Sequence, residues 1–387
     1  MKSRKNKTEY IRSFGIRYMT RVSKSKQIDS NKCLLYAGTY TTNGGEGIYV
    51  YKMDFVSGSH ELIEVQRNVD NPSYLTFNEE RSRLYAVMEI SEFEGEYGGA
   101  VCAYAVDKES GRLSFINQKP SQGRSPCFVS LSNTGNNLFV SNYSGGSIAV
   151  FTIGANGELA EMTDFKQHHQ TGSNPDRQTK PHPHSIIPSP GNDYVLVPDL
   201  GSDKIFIYEA KHEKAGLKLQ NRGDIGCETG SGPRHIVFGS KGNFLYIINE
   251  LDSTISVFEY DQCGKDFTNV QKISTLPPDF NDWNAPAEIK VHPSGNYIYG
   301  SNRGHNTIAI FKIDKNNGDL TSIGHESTRG NIPRNFCFDP TGQYLLASNR
   351  KSNNITVFAV DENTGKLEFT GQEVEIPEPA CIKTISC

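Results

Sequence analysis

The chain has 387 residues, with 40 Lys and Arg against 44 Asp and Glu and a formal net charge of −4 at pH 7. The first 30 residues hold nine basic and two acidic side chains, so the other residues carry 31 basic and 42 acidic groups, a net charge of −11. Such an acidic body argues against nucleic acid as a partner. The lack of an apolar run of about 18 residues argues against a membrane span.

Residues 1–31 form a basic, acid-poor N-terminal extension. We expect it to be disordered, because its composition offers few apolar side chains for a core. It lacks the continuous apolar segment of a secretory signal, although acid-poor, basic composition is also typical of organelle transit peptides. The predicted location is the cytoplasm, with targeting to an organelle through this extension as the alternative.

Residues 32–387 alternate short apolar runs with turn-forming residues. In the clearest copy the runs are Arg234–Phe238, Phe244–Asn249 and Thr254–Tyr260, and each is rich in Val, Ile, Phe or Tyr and too short for a helix. Similar copies recur about every fifty residues, marked by a turn glycine at Gly135, Gly191, Gly242, Gly295 and Gly342. Repeats of this length predict an all-β fold, a β-propeller.

Two looser copies, residues 34–54 and 71–107, bring the predicted number of blades to seven. The first of them lacks an opening strand, and residues 379–385 at the other end of the chain match the opening of the other blades. We therefore expect the C-terminal strand to complete blade one and close the ring, which leaves no open sheet edge between the first and last blades.

The first strand of each blade lines the channel of a propeller, so equivalent residues form a ring around it. The residues that follow the opening proline of each blade are Ser73, Cys127, His184, Arg234, Ala287, Arg334 and Ala380. Small residues are expected at a crowded axis, so one histidine and two arginines indicate a function.

A second ring lies at the ends of the second strands, eight residues after the turn glycine: Tyr143, Asp199, Glu250, Arg303 and Arg350, with Tyr40 and Glu89 at matching places. Both rings should open at the same face, because strand one starts where strand two ends in an antiparallel pair. This predicts a pocket at one mouth of the channel. The excess of arginine over acid there predicts a small anionic substrate.

Two other interpretations remain open at this stage. The charged residues could simply pair with one another across the channel. Alternatively, His182 and His184 point the same way on a strand and could bind zinc, with His168 or Asp199 as a third ligand. The polar insertion Asp164–Lys180 is predicted to be a flap near the site. There is no Gly-x-Ser-x-Gly motif, so a covalent nucleophile is not expected.

The sequence resembles the lactonase family of seven-bladed propellers over residues 34–385. The resemblance rests on several motifs in order, among them Ser141-Asn142-Tyr143, Arg177-Gln178, His182-Pro183-His184-Ser185, Gly232-Pro233-Arg234-His235, Asn249-Glu250 and Ser301-Asn302-Arg303. The family includes propeller-type 6-phosphogluconolactonases and carboxy-cis,cis-muconate cyclases. The resemblance implies metal-free chemistry without a cofactor.

The cyclase branch has a His, an Arg, a Glu and a second Arg at the channel mouth. By motif these correspond to His184, Arg234, Glu250 and Arg303, the predicted catalytic residues. The predicted substrate-binding residues are Arg334, Arg350, Asp199, Tyr143 and His182.

The predicted function is hydrolysis of a sugar lactone, 6-phospho-D-glucono-1,5-lactone to 6-phosphogluconate, in the pentose phosphate pathway. Either Glu250 or His184 would activate water, while Arg234 and Arg303 would bind the phosphate or the developing oxyanion. The alternatives are a muconate-type cycloisomerase and a non-catalytic interaction propeller. The sequence leaves the oligomeric state open.

Overall fold

The computed structural model describes residues 31–240, 242–261 and 266–387, and these form seven four-stranded antiparallel sheets and one small hairpin. The predicted N-terminal extension lies outside the described residues, apart from residue 31. Among the described residues, no helix has the length and apolar character that a membrane crossing requires.

The strands follow one another blade by blade. Blade one contains β1 (Lys32–Thr39), β2 (Ile48–Asp54) and β3 (His60–Gln66), with a 3-10 turn at Thr41–Asn43. Blade two contains β4 (Leu75–Phe77), β5 (Arg83–Met88), β8 (Ala100–Val106) and β9 (Leu113–Pro120), with the hairpin β6 (Glu92–Phe93) and β7 (Glu96–Tyr97) inserted. Blade three contains β10 (Pro126–Leu131), β11 (Asn137–Asn142), β12 (Ser147–Ile153) and β13 (Leu159–Gln167).

Blade four contains β14 (Ile187–Pro188), β15 (Tyr194–Asp199), β16 (Lys204–Glu213) and β17 (Gly216–Gly226). Blade five contains β18 (Pro233–Phe238), β19 (Phe244–Asn249), β20 (Thr254–Tyr260) and β21 (Phe267–Ser274). Blade six contains β22 (Ala285–Val291), β23 (Tyr297–Arg303), β24 (Thr307–Ile313) and β25 (Leu320–Ser327). Blade seven contains β26 (Pro333–Phe338), β27 (Tyr344–Asn349), β28 (Asn354–Val360) and β29 (Leu367–Glu375), and the chain ends with β30 (Pro379–Ser386).

The C-terminal strand closes the ring as predicted. Strand β30 pairs with β1 as the innermost strand of blade one, with Leu35 opposite Thr384 and Ala37 opposite Ile382. The predicted all-β, seven-bladed propeller is thus confirmed, and the two ends of the ring are joined by main-chain hydrogen bonds.

Neighbouring blades are joined by a repeated tyrosine contact. The hydroxyl of Tyr246 in β19 donates to the carbonyl of Gly318, 3.1 Å away in the next blade, and Tyr299 donates in the same way to Gly365 at 2.6 Å. These glycines have φ of 77° and 72°, which favours glycine, and Gly318 also packs directly on the Phe244 ring. The blades are therefore held by buried apolar faces and by a hydrogen bond at each such seam.

The innermost strands carry a β-bulge close to their opening proline. The pairing register shifts between Pro126 and Phe128, between Pro233 and His235, and between Pro333 and Asn335. A bulge adds one residue to a strand and redirects its side chain. As a result, both of the residues that follow the proline can point into the channel. The first of these residues contributes to the candidate site at the mouth of the channel.

Candidate active site

Glu250 lies at the centre of a group of arginines at one mouth of the channel. Its Oε2 is 3.0 Å from Nε of Arg234 and 2.7 Å from Nη2 of Arg303, and its Oε1 is 2.6 Å from Nη2 of Arg177. Burial raises the pKa of this carboxyl, but Arg303, Arg234 and Arg177 outweigh that effect and hold the pKa well below its usual range. Glu250 is therefore ionised at neutral pH and is a weak base.

Arg234 is held by contacts on two sides. Besides Glu250, it donates from Nη1 to the carbonyl of Ala287 at 2.6 Å and to Nε2 of His235 at 3.0 Å. Burial, together with the charges of Arg303 and Arg334, lowers the pKa of Arg234 to about 10. The guanidinium is still cationic at neutral pH and has a fixed orientation.

Arg334 has its own carboxylate partner. Its Nη2 is 3.7 Å from Oε2 of Glu89, which also accepts hydrogen bonds from the hydroxyls of Tyr40 (2.8 Å) and Ser73. The guanidinium of Arg334 lies over the Tyr40 ring, 5.4 Å from its centre. Glu89 and Tyr40 thus occupy the site positions that the loose repeats of blades one and two predicted.

His184 lies beside this arginine group. Its Nδ1 is 3.5 Å from Sγ of Cys127, and its ring centre is 5.1 Å from that of Tyr143 and 5.3 Å from that of His235. Burial lowers the pKa of His184 well below its usual value, and the charge of Arg234 lowers it further. The imidazole is therefore neutral at pH 7 and can accept a proton.

Tyr143 and His182 form one wall of the site. Their rings stack with centres 4.3 Å apart, and Nδ1 of His182 donates to the Tyr143 carbonyl at 3.0 Å. The Tyr143 hydroxyl is 3.4 Å from Nη2 of Arg177. This wall thus contacts Arg177 through the Tyr143 hydroxyl.

Arg350 lies at the edge of the group. Its Nε donates to Oε2 of Glu378 at 2.6 Å, and its guanidinium stacks 4.4 Å from the centre of the Tyr40 ring. Tyr40 therefore contacts both Arg350 and Arg334, and Arg350 is paired with a carboxylate, Glu378, that the sequence did not associate with it.

The prediction that Asp199 lines the pocket is wrong. Asp199 is fully buried, and its Oδ1 accepts from the main-chain N–H groups of His182 (2.7 Å) and Gly201 (3.0 Å). Its Oδ2 is 2.7 Å from Nδ1 of His168. All these contacts fix loops around blade four, so Asp199 is a structural residue.

The reason is a one-residue difference in a turn. In blade five one residue separates Gly242 from the start of β19, whereas in blade four two residues separate Gly191 from the start of β15. Asp199 consequently pairs with Lys204 at the end of β15, just as Asn249 pairs with Thr254 at the end of β19. The structural equivalent of Asp199 in blade five is therefore Asn249, the residue before Glu250. The count from the turn glycine was one residue short in this blade.

The insertion before blade four differs from the prediction at both ends. Residues 164–167 belong to β13, and the segment that follows begins with a buried His168, whose Nε2 is 2.9 Å from the Tyr208 hydroxyl. Gln178, also buried, donates to the Leu200 carbonyl at 2.9 Å. Between these two anchors the segment brings Arg177 to Glu250, and whether it moves as a flap stays a prediction.

Arg177 was absent from the predicted site residues. It belongs to no strand and to neither ring, and its signals in the sequence were the polar insertion Asp164–Lys180 and the Arg177-Gln178 motif of the family resemblance. The first strand of blade four is short, because β14 covers only Ile187–Pro188 and Pro183 joins the ladder through an isolated bridge to Asp199.

The zinc interpretation finds no support in the geometry. His168 has both ring nitrogens in contact with Asp199 and Tyr208, and His182 faces a carbonyl. Over the described ranges 31–240, 242–261 and 266–387, no three His, Cys, Asp or Glu side chains form a group that could hold a metal ion.

The arrangement as a whole carries a positive charge. Four guanidinium groups, Arg177, Arg234, Arg303 and Arg334, pair with two carboxylates, Glu250 and Glu89, among the residues that the structure describes, an excess of two positive charges. The neutral imidazole of His184 adds none. The site can thus bind an anion and accept a proton next to it, as hydrolases or isomerases that act on anionic substrates require.

Comparison with known proteins identifies the family. The family described as Lactonase, 7-bladed beta-propeller matches residues 34–384, so the chain belongs to this lactonase family and the predicted resemblance is confirmed. The chain is similar to the 6-phosphogluconolactonase of Bacillus subtilis, with 36% identity over 79% of this chain and 84% of the relative. It is 34% identical to the 6-phosphogluconolactonase of Formosa agariphila, over 78% of this chain and 85% of the relative.

A solved structure agrees with these relatives. The periplasmic gluconolactonase of Pseudomonas aeruginosa is 33% identical and superposes with a TM-score of 0.86 over 92% of this chain and 99% of that protein. The relatives thus include proteins named for a phosphorylated lactone and one named for gluconolactone.

Proposed function

We propose that the protein hydrolyses 6-phospho-D-glucono-1,5-lactone to 6-phosphogluconate, a reaction of the pentose phosphate pathway. The observation that carries the proposal is the excess of two positive charges at the channel mouth, beside a neutral His184. A phosphate monoester carries between one and two negative charges near neutral pH, and the arginine fork suits its oxygens. The names of the lactonase relatives support the same substrate.

His184 is the proposed general base. It takes a proton from a water molecule whose oxygen attacks the lactone carbonyl carbon, C1. The C1–O5 ring bond then breaks, and the proton on His184 passes to O5, which becomes the hydroxyl at C5. The new carboxylic acid releases its own proton at neutral pH. The low pKa of His184 makes it a modest base, but it is unprotonated at neutral pH.

Glu250 has a different role in this proposal. Three guanidiniums occupy its oxygens and hold its pKa down, so it is a poor proton acceptor. It instead positions Arg234 and Arg303, which stabilise the oxyanion that develops on the lactone carbonyl. Glu250 thus acts through the arginines.

Arg177 is the proposed phosphate contact. Its side chain is 39% exposed, against 12% for Arg303 and Arg334 and 2% for Arg234, so it is the guanidinium that an entering phosphate meets first. Arg334, which approaches its carboxylate only to 3.7 Å, has the least tightly paired charge of the group.

A coupled assay tests the proposal. The protein is added to freshly generated 6-phosphogluconolactone with excess 6-phosphogluconate dehydrogenase, and NADP reduction is followed after subtraction of spontaneous hydrolysis, with and without EDTA. We expect EDTA-resistant turnover and a higher kcat/KM than for glucono-1,5-lactone, measured by acid release. A rate equal to background for the folded protein would overturn the lactonase proposal, and equal kcat/KM for both lactones would overturn phosphate recognition.

The cytoplasm remains the proposed compartment. The test is a fusion of residues 1–31 to a fluorescent reporter. Diffuse fluorescence supports the proposal, and import of the reporter into an organelle would instead establish the targeting alternative.

A further inference from the structure

Beneath the candidate site, a second layer of side chains closes the channel. Its members are the second residues after the opening prolines: Tyr74, Phe128, Ser185, His235, Glu288, Asn335 and Cys381. Tyr74 stacks on Phe128 with ring centres 4.2 Å apart, and Phe128 lies 5.1 Å from His235. These side chains, called here the floor layer, are all buried.

The floor layer is held together by polar contacts as well. Nδ1 of His235 is 3.2 Å from Oε1 of Glu288, and Asn335 donates to the other oxygen of the same carboxylate. The contacts run between blades five, six and seven, while Tyr74 approaches His235 from blade two. The floor layer therefore separates the candidate site from the rest of the channel.

A third layer follows two residues further along each innermost strand, on the same side of the strand because side chains alternate. Its members, called here the lysine layer, are Thr76, Ser130, Ile187, Val237, Lys290, Cys337 and Lys383. All but Cys337 are half-buried, whereas the residues between the two layers, such as Ile236, Ile289 and Ile382, are buried. Six of the seven side chains in the lysine layer are thus partly accessible to solvent.

The only charged residues in the lysine layer are Lys290 and Lys383. Lys290 is 3.7 Å from Oε1 of Glu288, so one carboxylate partly offsets one ammonium. Lys383 has no carboxylate within 4 Å among the described residues, and its ammonium lies over the Tyr74 ring, 4.9 Å from its centre. Burial raises the pKa of the neighbouring Cys337 thiol to about 12, so the thiol supplies no negative charge.

Lys290 and Lys383 therefore lie in one half-buried layer, and among the described residues the only carboxylate within 4 Å of either ammonium is Glu288, beside Lys290. Burial lowers the pKa of Lys383, and the charge of Lys290 lowers it further. An ammonium in such a place is costly unless an anion pairs with it. Lysine binds phosphate groups as a compact point charge.

We propose that the channel beneath the floor layer binds an oxyanion of the phosphate class between Lys290 and Lys383. The site is distinct from the arginine group, because the floor layer lies between them. It does not depend on the lactonase reaction, so each proposal can fail without the other. The bound phosphate is either the free ion or the phosphoryl group of a small metabolite.

Calorimetric titration with inorganic phosphate tests the proposal. The Arg177→Met variant removes the proposed phosphate contact at the mouth, so phosphate binding that remains in it and depends on Lys383 reports on the channel. Adding Lys383→Met to this variant should weaken that binding roughly tenfold or more, since one charge-assisted contact is lost. Lys312→Met, which removes an exposed lysine of blade six, is the control and should leave it unchanged. Equal affinity with and without Lys383 would overturn the site.

A second titration, with glucose 6-phosphate, distinguishes free phosphate from the phosphoryl group of a metabolite as the ligand of the channel site. Binding of both ligands at the channel site indicates a phosphorylated metabolite, and binding of inorganic phosphate alone indicates the free ion. If Lys383→Met does not fold, crystals of the wild-type protein soaked in selenate give the answer through anomalous scattering. We expect a selenium peak between the two lysine ammonium groups, and its absence at millimolar selenate would overturn the proposal.

Discussion

Arg234 donates a hydrogen bond from Nη1 to Nε2 of the neighbouring His235, 3.0 Å away. Because a guanidinium only donates, Nε2 must be the accepting nitrogen, and the ring proton is on Nδ1, which faces Glu288 at 3.2 Å. A buried chain of polar contacts therefore runs from Glu288 through His235 and Arg234 to Glu250. His235 is a positioning residue for the arginine that contacts the substrate in our proposal.

This relationship predicts the effect of substituting His235. His235→Phe keeps a ring in the floor layer but removes the acceptor of Arg234, so we expect kcat to fall about tenfold with a smaller change in KM. In His235→Gln the side-chain oxygen can accept from Arg234, and most of kcat should return. A purely structural role would instead be revealed if both variants lost activity in proportion to the amount of folded protein, measured by circular dichroism.

The assignment of His184 as base predicts a difference between two variants. His184→Asn should lower kcat by a factor of about 10² to 10⁴, as removal of a general base does, and should abolish the fall of kcat/KM at low pH. That fall is expected below pH 6.5 in the wild-type protein, because burial and Arg234 depress the pKa of His184. Glu250→Gln should lower activity by releasing the arginines, yet keep the acid limb of the profile.

The measurement is the pH dependence of kcat/KM for the wild type and both variants. His212→Asn, which changes an exposed histidine of blade four, is the control and should match the wild type. Loss of the acid limb in Glu250→Gln but not in His184→Asn would assign the base to Glu250 instead.

Arg177 provides the third prediction. If it meets the phosphate, Arg177→Ala should raise KM for the phosphorylated lactone about tenfold or more and change kcat less, since a charge-assisted contact contributes about 1.5–3 kcal/mol. KM for glucono-1,5-lactone should hardly change. Arg222→Ala, which removes an exposed arginine of blade four, is the matched control. An equal rise in KM for both lactones would contradict a phosphate contact.

The blade seam provides a prediction on stability. Gly318 has φ of 77° and lies against the Phe244 ring, whereas Gly371 has φ of 82° and open space at the position of an added Cβ. Both Gly→Ala variants incur the backbone strain, but only Gly318→Ala also crowds a core side chain. We expect its free energy of unfolding to be lower than that of Gly371→Ala by about 1–3 kcal/mol. Thermal unfolding at one pH measures this difference. Equal melting temperatures would show that the Phe244 side chain moves aside at no cost in stability and would contradict the prediction.

Much of the site could be predicted from the sequence, because repeated blades place equivalent positions at equivalent points in space. The opening proline located His184, Arg234 and Arg334 without any structure, and the turn glycine located Glu250 and Arg303. The same count failed for Asp199, since one additional residue in a turn shifts every later position of that strand.

The sequence by itself determined the number of blades, the closure by the C-terminal strand and the two rings of residues, since these follow from periodic local patterns. Only the tertiary structure decided that Arg177 joins the site, because its place depends on an irregular segment anchored by His168 and Gln178. It also decided that Glu250 is a poor base and that Lys383 lacks a carboxylate partner among the described residues. These properties depend on distances between charges on different blades, which no local pattern specifies.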